Sequence, residues 1–258
     1  MKKYLLGLFV LLFSITVIVS CTDPIVPDPE PEPTPWDDLN PGNTQWGLLI
    51  NYTANWCGPC GQFGVPLLND CVNKGHVVGI VVKAGDDPQY NATLWNNFVN
   101  DRTNGGVVPA FWMGNTKTTD ESEMDALLAR TATASVDMKH EYSGDSMIVY
   151  SSVKTLTGYE PGEYYLAIVV QEDGLQYPQN GISDPEYKHK FVSRKAFNNA
   201  SYGVPVTLTI GSKNNFRHAI YMNPVWVKAN CYASVVLYKK EGTTKPLYKF
   251  VNACWSRP

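Results

Sequence analysis

Hydrophobic and polar positions along the chain fall into two regimes. Over residues 47–132, short continuous apolar runs alternate with segments of helical period. Residues 47–51 (GLLIN) and 76–83 (HVVGIVVK) are apolar without alternation, as strands buried on both faces are. Phe63, Leu67, Leu68 and Cys71 recur at helical spacing behind the first run, and Leu94, Trp95, Phe98 and Val99 do so over 93–100. Residues 107–113 (VVPAFWM) predict a third strand, opened by Pro109. Thr119, Asp120 and Glu121 start a helix reaching Ala129, with acids in its first turn and Arg130 at its last. Strands spaced by helices imply parallel pairing, so this part is expected to be an α/β sheet. Between Met113 and Thr119 there is room for no more than a short edge strand.

After Ser135 the period changes to two. Val136, Met138 and His140 alternate with polar residues up to a turn at 142–146 (YSGDS). Further strands are expected at 147–154, 163–171, 189–197, 204–210, 224–238 and 247–255. Seven short strands joined by Gly- or Pro-rich turns suggest an all-β sandwich of Ig-like size, although no Cys–Trp–Cys pattern of a true Ig domain is present. The Tyr-rich loop 177–187 and Tyr202 are either loop filler or binding surface.

The N-terminus has a different character. Lys2 and Lys3 precede an apolar run of about sixteen residues, too short to span a bilayer and right for a secretory signal over 1–20. It ends at Val19-Ser20-Cys21, which resembles the lipobox of bacterial lipoproteins, with Ile18-Val19 in place of the usual start. The resemblance implies cleavage before Cys21 and acylation of its thiol, which would hold the protein to a lipid membrane. Residues 21–42 carry seven prolines interleaved with acids. Such a stretch forms no core and reads as an extended tether. Its acids account for much of the formal charge of −3, so the folded body has no basic field for nucleic acid. The expected organisation is a signal at 1–20, a tether at 21–42, an α/β domain at 43–133 and a β-sandwich at 134–258.

The chemistry concentrates where the first strand meets the first helix, at Trp56-Cys57-Gly58-Pro59-Cys60. A cysteine at a helix start meets free N–H groups and the positive end of the helix dipole, which favour its thiolate. Cys57 is therefore the expected nucleophile. Cys60, one turn further in, is the expected resolving thiol, closing a small disulfide ring. A zinc site would need a second ligand pair at similar spacing. Cys71, Cys231 and Cys254 are scattered and the four histidines lie far apart, so no metal or cofactor is expected. Cys71 lies about 16 Å along the helix from Cys60 at 1.5 Å per residue, beyond disulfide reach, and is expected to be free and buried. If the last two strands form a hairpin pairing Lys240 with Lys245, partner numbers sum to 485, which sets Cys231 opposite Cys254. An exported protein would keep a structural disulfide there.

The Trp56–Cys60 stretch resembles the active site of the thioredoxin superfamily. The resemblance implies a thioredoxin-like fold for the α/β domain and thiol–disulfide exchange. In it Trp56 is shield and contact, and Pro109 is the cis-proline whose preceding backbone pairs with the substrate. Departures accompany it: Asn51 stands where the family has a buried aspartate and cannot take the proton of the resolving thiol, and Pro66 sits one residue late. Lys83 matches the family's neighbouring lysine more loosely. Signal, Cys21, Cys-x-x-Cys domain and β-sandwich together resemble the Omp-twenty-eight-related outer-membrane lipoproteins of the Bacteroidetes, to whose His-x-x-Val-x-Arg strand residues 187–194 (YKHKFVSR) are similar. Two functions follow as expectations. One is a membrane-anchored thiol–disulfide oxidoreductase acting on proteins with thiols or disulfides. The other is a binding or scaffold lipoprotein in which Cys57–Cys60 is a structural staple. Both place it at the bacterial outer membrane, on the periplasmic or the cell-surface face.

Overall fold

The computed structural model describes residues 34–257. The expected signal at 1–20, the lipid-site Cys21 and the first part of the tether lie outside the described residues. Among the described residues, no helix is long and apolar enough to cross a membrane.

The α/β part runs β1 (Gly47–Thr53), α1 (Val65–Asn73), β2 (Val77–Lys83), α2 (Ala92–Asp101), β3 (Ala110–Met113), β4 (Thr116–Lys117) and α3 (Ser122–Leu128). β1 pairs parallel with β2, and β3 antiparallel with β1. The two-residue β4 is the short edge that the spacing allowed. Every residue of β1 and β2 is buried, so neither needs polar alternation. On the sheet, Leu67, Leu68 and Cys71 of α1, Leu94 and Phe98 of α2, and Met124 and Leu127 of α3 join one apolar core. Each fully buried side chain of this kind contributes about 1.5–3 kcal/mol.

The β-rich part adds β5 (Ala134–Ser143), β6 (Ser146–Thr155), β7 (Glu163–Glu172), β8 (Leu175–Gln176), β9 (Lys188–His189), β10 (Val192–Ala196), β11 (Val204–Val206), β12 (Lys213–Tyr221), β13 (Cys231–Lys240) and β14 (Tyr248–Trp255). It does not stand apart as a seven-stranded sandwich behind a boundary at 133. β10 pairs with β2, placing Val192 beside Val81, and with β7 on its other side. The resulting sheet has the order β14-β13-β7-β10-β2-β1-β3-β4, with β11 also on β7. β12, β6 and β5 form a second sheet, and β8 and β9 pair as a short two-stranded one.

The reason is visible in the side chains of β7 and β13. Ala167 and Val169 of β7 face the α/β core, whereas Leu166, Ile168 and Val170 face a second core. In β13, Tyr232, Val236 and Tyr238 face the first core, and Ala233, Val235 and Leu237 the second. Alternate residues of a strand point to opposite faces. An apolar run in either strand therefore serves two cores, and the second is closed by Val136, Met147, Val149 and Val153 of β5 and β6. Arg102, fully buried, fastens the arrangement. Nη2 donates to the Tyr248 carbonyl at 2.7 Å, Nη1 to Asp101 at 3.1 Å, and the guanidinium lies 5.1 Å from the Tyr202 ring centre and 5.2 Å from that of Tyr238.

Two further expectations are corrected. The tether does not extend to residue 42. Trp36 packs edge-on against Tyr150, Leu39 is buried, and Asp38 pairs with Lys139 at 2.7 Å. The Cys231–Cys254 disulfide is not formed: both are free and buried. Lys240 pairs with Tyr248 rather than Lys245, because the turn is longer and Asp101 captures the Leu247 amide at 2.7 Å. A bulge at Leu237/Tyr238 shifts the register again, and Cys254 faces Val235. Cys231 pairs on its other side with Glu172. Burial pushes the Cys231 thiol up to about 12 and raises that of Cys254.

Candidate active site

β1 ends at Thr53 and the chain turns through Ala54–Trp56 into Cys57. Cys57 and Cys60 are joined by a disulfide with Cα atoms 5.2 Å apart. The Cys60 amide donates to Cys57 Sγ at 3.2 Å, which is the contact that would favour a Cys57 thiolate. Residues Cys60–Gly64 form a wide π-helical turn ahead of α1. Pro66 explains it, since it has no N–H to give to the carbonyl four residues back. Cys71 is free and buried on α1, and burial pushes its thiol up to about 11.

The Val108–Pro109 bond is cis, as the resemblance implies. The Val108 carbonyl oxygen lies 3.6 Å from Cys57 Sγ. Trp56 is 50% exposed and Val107 57% exposed. They flank a groove of about 330 Å³ that reaches Trp95 and Asn104. Trp56 is pinned by its indole N–H, which donates to the Gly85 carbonyl at 3.1 Å. The disulfide itself is sheltered, with Cys57 5% exposed and Cys60 fully buried. Trp56, Cys57, Cys60 and Pro109 are thus brought together. Cys231 and Cys254 are not part of this cluster.

The opposite side of the motif is closed by residues 179–181, within the Tyr-rich loop between β8 and β9. The Gln179 amide donates to the carbonyls of Ala54 and Cys57, both at 3.1 Å. The Asn180 backbone donates to Asn55 at 2.7 Å and its side chain to the Trp56 carbonyl at 3.1 Å. Gly61 and Gly181 allow this approach. A side chain at 61 would strike the Asn180 carbonyl, and one at 181 the Gly58 carbonyl.

Behind the motif lies a buried polar group. Lys83 sits 3.4 Å from Asp87 and 3.2 Å from His189 Nδ1. Asp87 also accepts the Asn55 amide at 2.7 Å, which fixes the approach to Cys57. An ammonium that donates to Nδ1 leaves the Nε2–H to donate to the Tyr177 carbonyl at 3.2 Å. Burial and the neighbouring Lys83 push the His189 imidazole down to about 4. Burial lowers Lys83 as well, against the pull of Asp87. Asn51 is buried, and its Oδ1 has no partner among the described residues. Among those residues, no group of three or more metal-ligating side chains could hold one ion.

Asp87, Gln179 and Asn180 carry no motif, and nothing in the sequence singles them out. His189 lies inside the stretch 187–194 noted for its resemblance, which was its one signal.

The fold and site define a mixed α/β protein with β-rich sheets, carrying a Cys-x-x-Cys disulfide at a helix start. Among solved structures the chain is similar to HBP35 of Porphyromonas gingivalis, with 15% identity and a TM-score of 0.69 over 84% of this chain and 76% of that one. It is also similar to a domain of the outer membrane lipoprotein Omp28 from Porphyromonas gingivalis, with 16% identity and a TM-score of 0.31 over 47% of this chain and 88% of that one. No family model matches the chain, and no curated protein matches it in sequence.

Proposed function

We propose that the protein is a membrane-anchored, thioredoxin-like lipoprotein that exchanges thiols and disulfides through Cys57 and Cys60. One observation carries the reading. The Cys57–Cys60 disulfide sits at a helix start with the Cys60 amide on Cys57 Sγ and the Val108 carbonyl facing the same sulfur. In the reduced protein, the Cys57 thiolate attacks one sulfur of a substrate disulfide. That S–S bond breaks, the other substrate sulfur leaves and takes a proton from solvent, and a Cys57–substrate disulfide forms. Cys60, having lost its proton, attacks Cys57 Sγ, releases the second substrate thiol and closes the Cys57–Cys60 bond. Two electrons pass to the substrate, and an external dithiol returns them. Run in reverse, the same steps oxidise a substrate dithiol. The groove beside Trp56 and Val107 gives an extended, partly apolar segment of a protein a place to lie.

A second reading, a scaffold or binding lipoprotein with a structural Cys57–Cys60 staple, is favoured by the shelter of both sulfurs and the clamp of Gln179 and Asn180. In either reading an acylated Cys21 would anchor the chain at the bacterial outer membrane, on its periplasmic or cell-surface face. Trapping separates the two. Reduced Cys60→Ser, mixed with a disulfide-linked peptide, is expected to accumulate a peptide adduct on Cys57, detectable by mass, and Cys57→Ser none. Absence of an adduct in folded, reduced Cys60→Ser rejects the exchange reading.

A further inference from the structure

Away from the cysteine motif, three hollows lie end to end where the start of α2 meets β10 and the segment between β12 and β13. The central one, of about 220 Å³, is lined by Asn91, Arg194, Lys195, Tyr221 and Trp226. It shares Arg194 and Trp226 with a hollow of about 170 Å³ that reaches Gln89. It shares Lys195 and Tyr221 with one of about 320 Å³ on the far side. Among the described residues, no Asp or Glu lines any of the three, although the chain carries a formal charge of −3. Among the described residues, the charged side chains that line the trough are Arg194 and Lys195.

Gln89 supplies a separate observation. It is 5% exposed, yet neither its amide nitrogen nor its amide oxygen has a partner among the described residues. Buried polar groups are normally paired, so an unpaired carboxamide lining a hollow marks a place for a ligand that both donates and accepts. Arg194 is held from behind by Glu172, Nε to Oε2 at 3.3 Å, and lies 5.4 Å from the Trp226 ring centre. Its terminal nitrogens make no hydrogen bond among the described residues, which leaves two donor groups for an anion. α2 starts at the same place, capped by Asn91, and its N-terminus adds partial positive charge.

We infer that this trough is a binding site for a carboxylated oligosaccharide. A sugar's adjacent hydroxyls both donate and accept, as the Gln89 amide requires. Its carboxylate matches the free end of Arg194 and the ammonium of Lys195. Its ring faces suit Trp226 and Tyr221, and three hollows in line accommodate more than one ring. The site does not involve Cys57 or Cys60, so it stands or falls independently of the exchange chemistry.

The test is retention of the full-length protein, in detergent, on an array of carboxylated and neutral glycans. Retention on carboxylated glycans is expected to exceed that on neutral ones by about 10-fold or more, the usual weight of a hydrogen bond to a charged group. Arg194→Met should lower it by a similar factor while peptide capture by Cys57 is unchanged. Lys195→Met, at a half-buried surface position, serves if Arg194→Met does not fold. No preference for carboxylated glycans, or retention unchanged in the folded variant, would overturn the assignment. So would equal competition by acetate, inorganic phosphate or a triglutamate peptide, each of which would reduce the site to a general anion or peptide contact.

Discussion

His189 sits between the two parts of the chain, on Lys83 from β2 and on the Tyr177 carbonyl of the Tyr-rich loop. Its imidazole titrates near 4 in the fold against about 6.5 when unfolded. The unfolded chain thus binds the extra proton first, between pH 6.5 and 4. Stability from this group is complete above about pH 6.5 and is lost as pH falls toward 4, by about 3 kcal/mol. Lys83, Asp87 and Tyr187 surround the ring, and a neutral replacement removes the titration. Denaturant unfolding at pH 7 and pH 4.5 should show a smaller acid loss for His189→Gln than for the native chain; equal losses would contradict the assignment. The Cys57–Cys60 disulfide and the cis bond before Pro109 were legible in the sequence because both are local features, set by a strand end, a helix start and a single proline. His189, Gln179 and Asp87 were not. His189 and Gln179 act across more than a hundred residues of chain, and Asp87 reads as one acid among many in a loop.

At the scale of elements, residues 179–181 act as a strap over the motif. Gly61→Ala would drive a methyl into the Asn180 carbonyl. Overpacking of this kind costs about 1–3 kcal/mol, which corresponds to a melting point several degrees lower for a chain of this size. The Asn180 amide, now held by the Asn55 carbonyl, should exchange faster with solvent. Unchanged melting and exchange would mean that the strap is not fastened at Gly61. Helices α1 and α2 and strands β1, β2, β6, β7 and β14 follow the hydrophobic pattern closely, because burial on one or two faces dictates that pattern. The last hairpin did not follow its expected register. A turn's length is set by what catches it, and Asp101 of α2 catches Leu247. β12 was missed because it is an edge strand, exposed at every second residue, with only His218 and Ile220 buried.

On the scale of the whole molecule, the change of hydrophobic period after Ser135 implies two domains, and the sheet joins them. Residues 34–133 cut out alone would expose the β2 edge that β10 covers, along with the core faced by Ala167, Val169 and Val236. Such an edge with an apolar face invites aggregation. The fragment is expected to be insoluble or to lack the near-ultraviolet signal of packed aromatic side chains, whereas 34–258 is native. A soluble, cooperatively unfolding fragment would contradict the shared core.

The proposed function requires Cys57–Cys60 to exchange electrons with substrates instead of stapling the turn. Its reduction potential, measured by equilibration of the purified chain with defined glutathione and dithiothreitol mixtures, tests this most directly. Exchange predicts a value between about −120 and −270 mV, the span of disulfide oxidoreductases. A value below about −300 mV, the range of structural disulfides, would contradict it.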